Sequence, residues 1–295
     1  LYITESEVHQ LLQPRPLTDA LEAAFLQQAQ GKAVLRPRDR AILGKNVQHT
    51  LSAISAEWGV SAIKSYLTGP GGAGFVTLLF SLATSRLLAT IEADRLGQLR
   101  TGCATALAVR HLAAGAQKLA LFGTGTVATG QLEALQAELG ESLVEVVVFS
   151  RKEESRRAFA EKMSSLLGRA VGTAESPAAC LRGANLVVTA TSSKEPLFEA
   201  GDLGPGGVLC AVGNNWAYKR EIDEATVARC SEIWVDDLTQ ARVEAGDFIQ
   251  LSTPVWDRCR PLSELVSLPA EPREGWVLFK SIGIGLEDLA AAYLL

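Results

Sequence analysis

Gly123-Thr124-Gly125-Thr126-Val127-Ala128 carries the densest chemistry in this sequence, because the G-x-G-x-x-A spacing builds an anion cradle from main chain. Gly123 permits a tight turn, and Gly125 lets a pyrophosphate approach the backbone. Ala128 lets the next helix pack close to a strand. The start of that helix offers free N–H groups and the positive end of its dipole to phosphate. Thr124, Thr126 and Val127 are expected to share the cradle. Further on, the next strand ends Phe149-Ser150-Arg151-Lys152, where NAD enzymes carry an acid for the ribose 2′-hydroxyl. A hydroxyl and two cations suit a 2′-phosphate, which a guanidinium grips with paired, charge-assisted hydrogen bonds. NADPH is therefore expected in preference to NADH.

These residues need a strand–turn–helix–strand frame. Leu119–Phe122 is an apolar run suited to a buried strand. Leu132, Leu135 and Leu139 mark a helix that Gly140 can stop, and Val144–Phe149 is a second strand. The alternation continues with a helix over Glu153–Leu167 and a short one over Ser176–Leu181, with Pro177 in its first turn. Strands follow over Asn185–Thr191, Gly207–Val212 and Glu232–Asp236. Such alternation implies a parallel sheet with helices on both faces. Ligands bind at the carboxyl ends of its strands, so Ala190, Thr191 and Val212 belong beside the cofactor.

The earlier part reads differently. Thr4 caps a first helix, and a second is expected over Thr18–Gln30. Residues 33 to 68 read as strands, with a basic cluster Arg36-Pro37-Arg38-Asp39-Arg40 and with Lys64 inside an otherwise apolar run. Gly69-Pro70-Gly71-Gly72 is a turn, and Val76–Phe80 and Leu87–Glu92 form a hairpin. An alanine-rich helix over Ala104–Ala113 leads to the nucleotide turn. At the far end, Trp276–Ser281 is a strand and Leu289–Leu295 a last helix.

Bulk properties narrow the classes. A chain of 295 residues that is 47% hydrophobic supports two domains with real cores. The net charge of −5 and the lack of a Lys/Arg-rich run give no reason to expect nucleic acid. Apolar stretches fall short of the roughly 20 residues of a membrane span. The opening LYITESEVHQLL is acidic and polar, unlike a signal peptide. Five scattered cysteines without C-x-x-C fit reduced thiols in the cytoplasm. His9, His49 and His111 fall in no metal spacing, so no metal is expected.

Six segments in this order carry a family resemblance: RTGCATALAVRHLA, LFGTGTVA, VVTATSSKEPLF, AVGNNWAYKREID, WVDD and FKSIGIGLEDLAAA. With them the chain resembles the ornithine cyclodeaminase/mu-crystallin family. The resemblance implies an α/β protein with a Rossmann doubly wound parallel sheet inserted in a second, α+β domain that binds substrate and forms a homodimer. The nucleotide domain would be 113–276, and the second domain 1–112 plus 277–295. The implied chemistry is hydride exchange at the α-carbon of an amino or imino acid.

In the family, three cations grip the substrate carboxylate. Lys64 and Arg100 match two of them. The third falls in the basic cluster; Arg40 is preferred because it precedes Ala41-Ile42-Leu43, and Arg38 is its rival. Thr101 and Ser281 are expected beside the cofactor. Asp288 sits in the family's G-x-x-x-E-D pattern, as a pocket carboxylate or as a helix N-terminal anion. Cys103 reads as a small buried residue, with an activated thiol as the alternative. Ornithine-cyclising members carry an Asp after A-V-G, where this chain has Asn214-Asn215-Trp216, and Asn is no base at neutral pH. The family's M-P-A is also altered, to Leu51-Ser52-Ala53. The expected activity is NADPH-dependent reduction of Δ1-pyrroline-2-carboxylate or Δ1-piperideine-2-carboxylate. The alternatives are an ornithine cyclodeaminase, an alanine-type dehydrogenase, and a mu-crystallin-like binding protein.

Overall fold

An antiparallel sheet with one buried face organises the first part of the chain. Strand β1 (Tyr2–Ile3) is followed by helices α1 (Glu5–Leu11) and α2 (Pro14–Ala29). Then come β2 (Ala33–Leu43), β3 (Asn46–Ser55), β4 (Val60–Gly69), β5 (Gly72–Ser81) and β6 (Leu87–Glu92). The structure, a computed structural model, describes all residues except 113, 114, 270 and 272, so the expected end of the alanine-rich helix at residue 113 lies outside it. Thr4 and Glu7 close a capping box at α1. α2 starts at Pro14, earlier than the expected Thr18, because proline is tolerated in a first turn that needs no N–H bond. Its buried face carries Leu17, Leu21, Ala24 and Phe25. Each large side chain there contributes about 1.5–3 kcal/mol of burial.

The six strands lie in the order β1-β6-β5-β4-β3-β2, antiparallel except for the β1–β6 pair. Ala53, Ala62, Leu79 and Ala89 form one buried row across four strands. On the opposite face Val34, Ile54, Ser61, Phe80 and Leu87 stand in register, and Val34, Ile54 and Leu87 are exposed.

Helix α3 (Asp94–Leu112) begins well before the expected Ala104, so Arg100 and Thr101 sit inside it. It leads to the second sheet through β7 (Lys118–Phe122), α4 (Thr126–Leu139), β8 (Glu145–Phe149), α5 (Glu153–Leu167), β9 (Gly172–Thr173), α6 (Pro177–Leu181), β10 (Leu186–Thr189) and β11 (Gly207–Ala211). There follow α7 (Glu224–Arg229), β12 (Cys230–Val235), α8 (Leu238–Glu244), α9 (Gly246–Ile249), β13 (Cys259–Pro261), α10 (Leu262–Leu265), β14 (Trp276–Lys280) and α11 (Gly285–Leu294). All eight strands of this sheet are parallel, in the order β13-β12-β14-β11-β10-β7-β8-β9.

One expected boundary falls in the wrong place. The cut at 277 lies inside β14, which pairs with β11 and β12 in the second sheet, so 277–280 belong to the nucleotide domain. All five β14 residues are buried, as expected for a strand of a parallel sheet covered on both faces. Only α11 returns to the first sheet, packing on α2, β3 and β4.

Candidate active site

Two cavities meet at the carboxyl ends of the parallel strands. The larger, about 630 Å³, is walled by the glycine turn, the end of β8 and the loop after β10. Gly123 has φ +115°, and a Cβ there would strike the Ala190 carbonyl. The missing Cβ of Gly125 faces open space, and no side chain caps the first N–H groups of α4. The cradle therefore has room and free donors for a pyrophosphate. Thr124, Thr126, Val127, Ser150, Arg151, Ala190 and Thr191 also line this cavity. Lys152 does not: the chain turns there to begin α5, leaving Lys152 exposed at its N-cap.

A buried acid that the sequence reading missed ties the cofactor loops together. Glu221 accepts the N–H and hydroxyl of Thr191, both at 2.7 Å, and the Gly213 N–H at 2.8 Å. Behind it Asp247 accepts the Glu221 N–H at 2.6 Å and pairs with Lys280 at 2.9 Å. Lys280 donates to the Asn214 carbonyl at 2.8 Å. Burial, then Asp247, raises the Glu221 pKa against the pull of Lys280. The available signal was a lysine closing an otherwise apolar strand, which demands a buried counter-charge.

The smaller cavity, about 250 Å³, shares Thr126, Val127 and Gly213 with the larger. Arg38, Lys64 and Arg100 line it, with Thr101, Val212, Asn215 and Ser281. The structure thus brings the expected Lys64 and Arg100 to one space but replaces Arg40 by Arg38. A register irregularity between Arg36 and Asp39 reverses the phase of β2 and turns Arg38 inward. Arg38 pairs with Glu244 and donates to the carbonyls of Ile282 at 3.0 Å and Gly283 at 2.7 Å. Arg40 is spent elsewhere. It pairs with Glu244 at 2.6 Å, donates to the Asn215 carbonyl at 2.9 Å and lies 4.3 Å over the Trp216 ring.

Asp288 stands behind the cations rather than in the cavity wall. From the first turn of α11 it accepts from Lys64 Nζ at 2.9 Å and lies 3.0 Å from Arg100 Nε. It is a pairing carboxylate, not one that lines the pocket. Glu287, its neighbour, pairs with Arg100 as well. Asp236 accepts from the Ser281 hydroxyl and from the N–H groups of Ile282 and Gly283, at 3.0, 2.8 and 2.8 Å. That fixes the turn whose carbonyls hold Arg38. Sequence reasoning gave no role to Glu244, Glu287 or Asp236, since nothing local to them marks a partner from another element.

The fields are strong because the charges are dry. Burial, then Arg100 and Arg38, lowers the Lys64 pKa, with Asp288 opposing. Burial alone would lower the Arg100 pKa, but Asp288 and Glu287 hold it above the ordinary arginine value. Glu287 is pushed up to about 8, chiefly by burial, with Asp236 and Asp288 adding and Arg100 opposing. His49 is held down to about 4 by burial and by Arg40 and Arg38. The Cys103 thiol is buried and pushed up to about 12, which removes it as a nucleophile. Among the described residues no group of three His, Cys, Asp or Glu is arranged to hold a metal. No helix among them is long and apolar enough to cross a membrane.

A glycine-turn cleft that opens into a small, cation-lined pocket is built to hold a dinucleotide beside a small carboxylate. The chain belongs to the ornithine cyclodeaminase/mu-crystallin family, whose model matches residues 2–295. It is 27% identical to a Δ1-pyrroline-2-carboxylate reductase of Bacillus cereus, over 74% of this chain and 68% of that one. It is 30% identical to the ketimine reductase mu-crystallin of Mus musculus, over 74% and 67% of the two chains. Its fold matches an archaeal alanine dehydrogenase dimer with bound NAD at a TM-score of 0.91 and 26% identity, covering 100% of this chain and 94% of that one.

Proposed function

We propose that this protein reduces a cyclic ketimine carboxylate, Δ1-pyrroline-2-carboxylate or Δ1-piperideine-2-carboxylate, to L-proline or L-pipecolate, with NADPH as reductant. The observation that carries the reading is the convergence of Arg38, Lys64 and Arg100 on a small cavity contiguous with the dinucleotide cleft. Paired cations match a carboxylate in charge and geometry. They would fix the substrate's α-carbon beside the nicotinamide end of the cleft, and holding that geometry is most of what the protein must supply. Gly123 to Val127 would hold the pyrophosphate, and Arg151 with Ser150 the 2′-phosphate. When bound, the nicotinamide supplies hydride. Asn215 in the wall orients the substrate nitrogen without acting as a base. The names of the Bacillus cereus and mouse relatives support this substrate class.

A second reading, ornithine cyclodeamination, draws on Asp94, the one carboxylate among the described residues in the wall of the small cavity. That reaction needs a base for the amine protons. Loss of absorbance at 340 nm separates the two readings. Purified protein is given NADPH or NADH with each cyclic ketimine, and with pyruvate plus ammonia or methylamine. Ornithine with NAD⁺ is assayed separately for proline. Fast oxidation with a cyclic ketimine supports the reductase. Proline from ornithine with silence in the first assay supports the cyclodeaminase. Silence throughout, with tight NADPH binding, leaves a binding protein.

A further inference from the structure

Reduction of a neutral imine consumes a proton as well as a hydride, and the small cavity holds few groups able to give one. Its titratable lining is Arg38, Lys64, Tyr66, Asp94 and Arg100. Arginine keeps its proton. Lys64 is 3% exposed and donates to Asp288, and carboxylate binding is its assigned work. Asp94 is exposed in the first turn of α3, where water solvates its carboxylate. His49 lies just behind but has both ring nitrogens engaged, Nδ1 by Arg40 Nε at 3.2 Å and Nε2 with the Thr68 hydroxyl at 3.3 Å.

Tyr66 is placed differently. It lies two residues beyond Lys64 on β4, hence on the same face of the strand. Its ring is clamped between His49, stacked at 4.2 Å with 4° between planes, and Phe75, at 5.1 Å. Lys64 Nζ sits 5.9 Å from the ring centroid. Two packed aromatic faces fix the ring in the cavity wall, and its hydroxyl makes no hydrogen bond to another described residue. A rigidly held donor in the wall of a cavity, with no internal partner, is presented to whatever the cavity holds.

Resting on the ketimine-reductase reading, we propose that the Tyr66 hydroxyl is the proton donor to the substrate nitrogen. As hydride adds to the C=N carbon, the π pair moves to nitrogen, the Tyr66 O–H bond breaks and an N–H bond forms. The imine is reduced to a secondary amine and the nicotinamide is oxidised. The phenolate left behind lies in the field of Lys64, Arg100 and Arg40 and takes a proton from water through the open side of the cavity.

Tyr66→Phe keeps the aromatic stack and deletes only the hydroxyl. The variant and the wild type are compared on Δ1-pyrroline-2-carboxylate and on its N-methyl iminium analogue, whose fixed cation needs no proton. NADPH binding, followed by fluorescence, reports that the variant is folded. The variant should lose at least about 100-fold in kcat on the ketimine and stay within about threefold of wild type on the iminium. The solvent deuterium isotope effect on kcat should change for the ketimine alone. Equal rates on the ketimine overturn the assignment, as does an equal loss on both substrates, which would mean that Tyr66 only shapes the pocket. If the wild type reduces neither substrate, the reductase reading itself falls and takes this assignment with it.

Discussion

Two arginines two positions apart on one strand test the site at the scale of single residues. Arg38 reaches the cavity, whereas Arg40 is engaged with Glu244, the Asn215 carbonyl and Trp216. Arg38→Ala should raise the substrate KM by about 30-fold or more, the usual cost of truncating one partner of a buried charge pair. Arg40→Ala should raise it by at least about tenfold less, and steady-state kinetics with both variants decides the order. A larger effect at Arg40 would move the carboxylate grip back to that residue. On the cofactor side, Arg151→Ala should weaken NADPH about tenfold, the value of one charge-assisted hydrogen bond, and leave NADH nearly unchanged. Equal losses, read by titration of protein fluorescence, would remove the 2′-phosphate assignment.

Helix α11 carries the prediction that belongs to elements, because its first turn places Glu287 and Asp288 against α3 and β4. Glu287 has a folded pKa of about 8 against 4.5 for a free side chain. The native state therefore binds the extra proton, and stability from this group is full below about pH 4.5 and is lost as pH rises toward 8. Glu287→Gln should flatten that decline by up to about 1.4 kcal/mol per pH unit, read as urea midpoints across the window. Parallel curves for wild type and variant would refute the assignment. The same elements show why some of the fold was legible and some was not. Glu153–Leu167 and the turn at Gly123 could be read because each rests on a local pattern, helical spacing in one and glycine spacing in the other. The start of α3 could not. Gly97 and Gly102 lower helix propensity by about 1 kcal/mol each, and both are demanded from outside the helix. A Cβ on Gly97 would crowd Lys64 Nζ, and one on Gly102 would strike the Gly130 carbonyl of α4. The candidate site divides in the same way. The cofactor turn and Lys64 were visible as motif and anomaly, whereas the choice of Arg38 required a bulge, and Glu221, Glu244 and Asp236 are defined only by partners far away in sequence.

Taken as one body, the molecule leaves the first sheet covered on a single side. Helices α2 and α11 lie over its inner face, and the outer face keeps the in-register row Val34, Ile54, Ser61, Phe80 and Leu87. Val34 is 58% and Leu87 50% exposed, unusual for large apolar side chains aligned in one row. Contiguous exposed apolar surface of this kind marks an association site. Pairing of two copies through it about a twofold axis would let the same row meet itself and bury it. Ile54→Asp puts a charge within the row while leaving β3's inner face and every cavity residue untouched. Light scattering after gel filtration should give a dimer for the wild type and a monomer for the variant. The variant should still bind NADPH, since the glycine turn lies in the other sheet. A monomeric wild type would refute the pairing, and a dimer that the charge does not disturb would place the interface elsewhere.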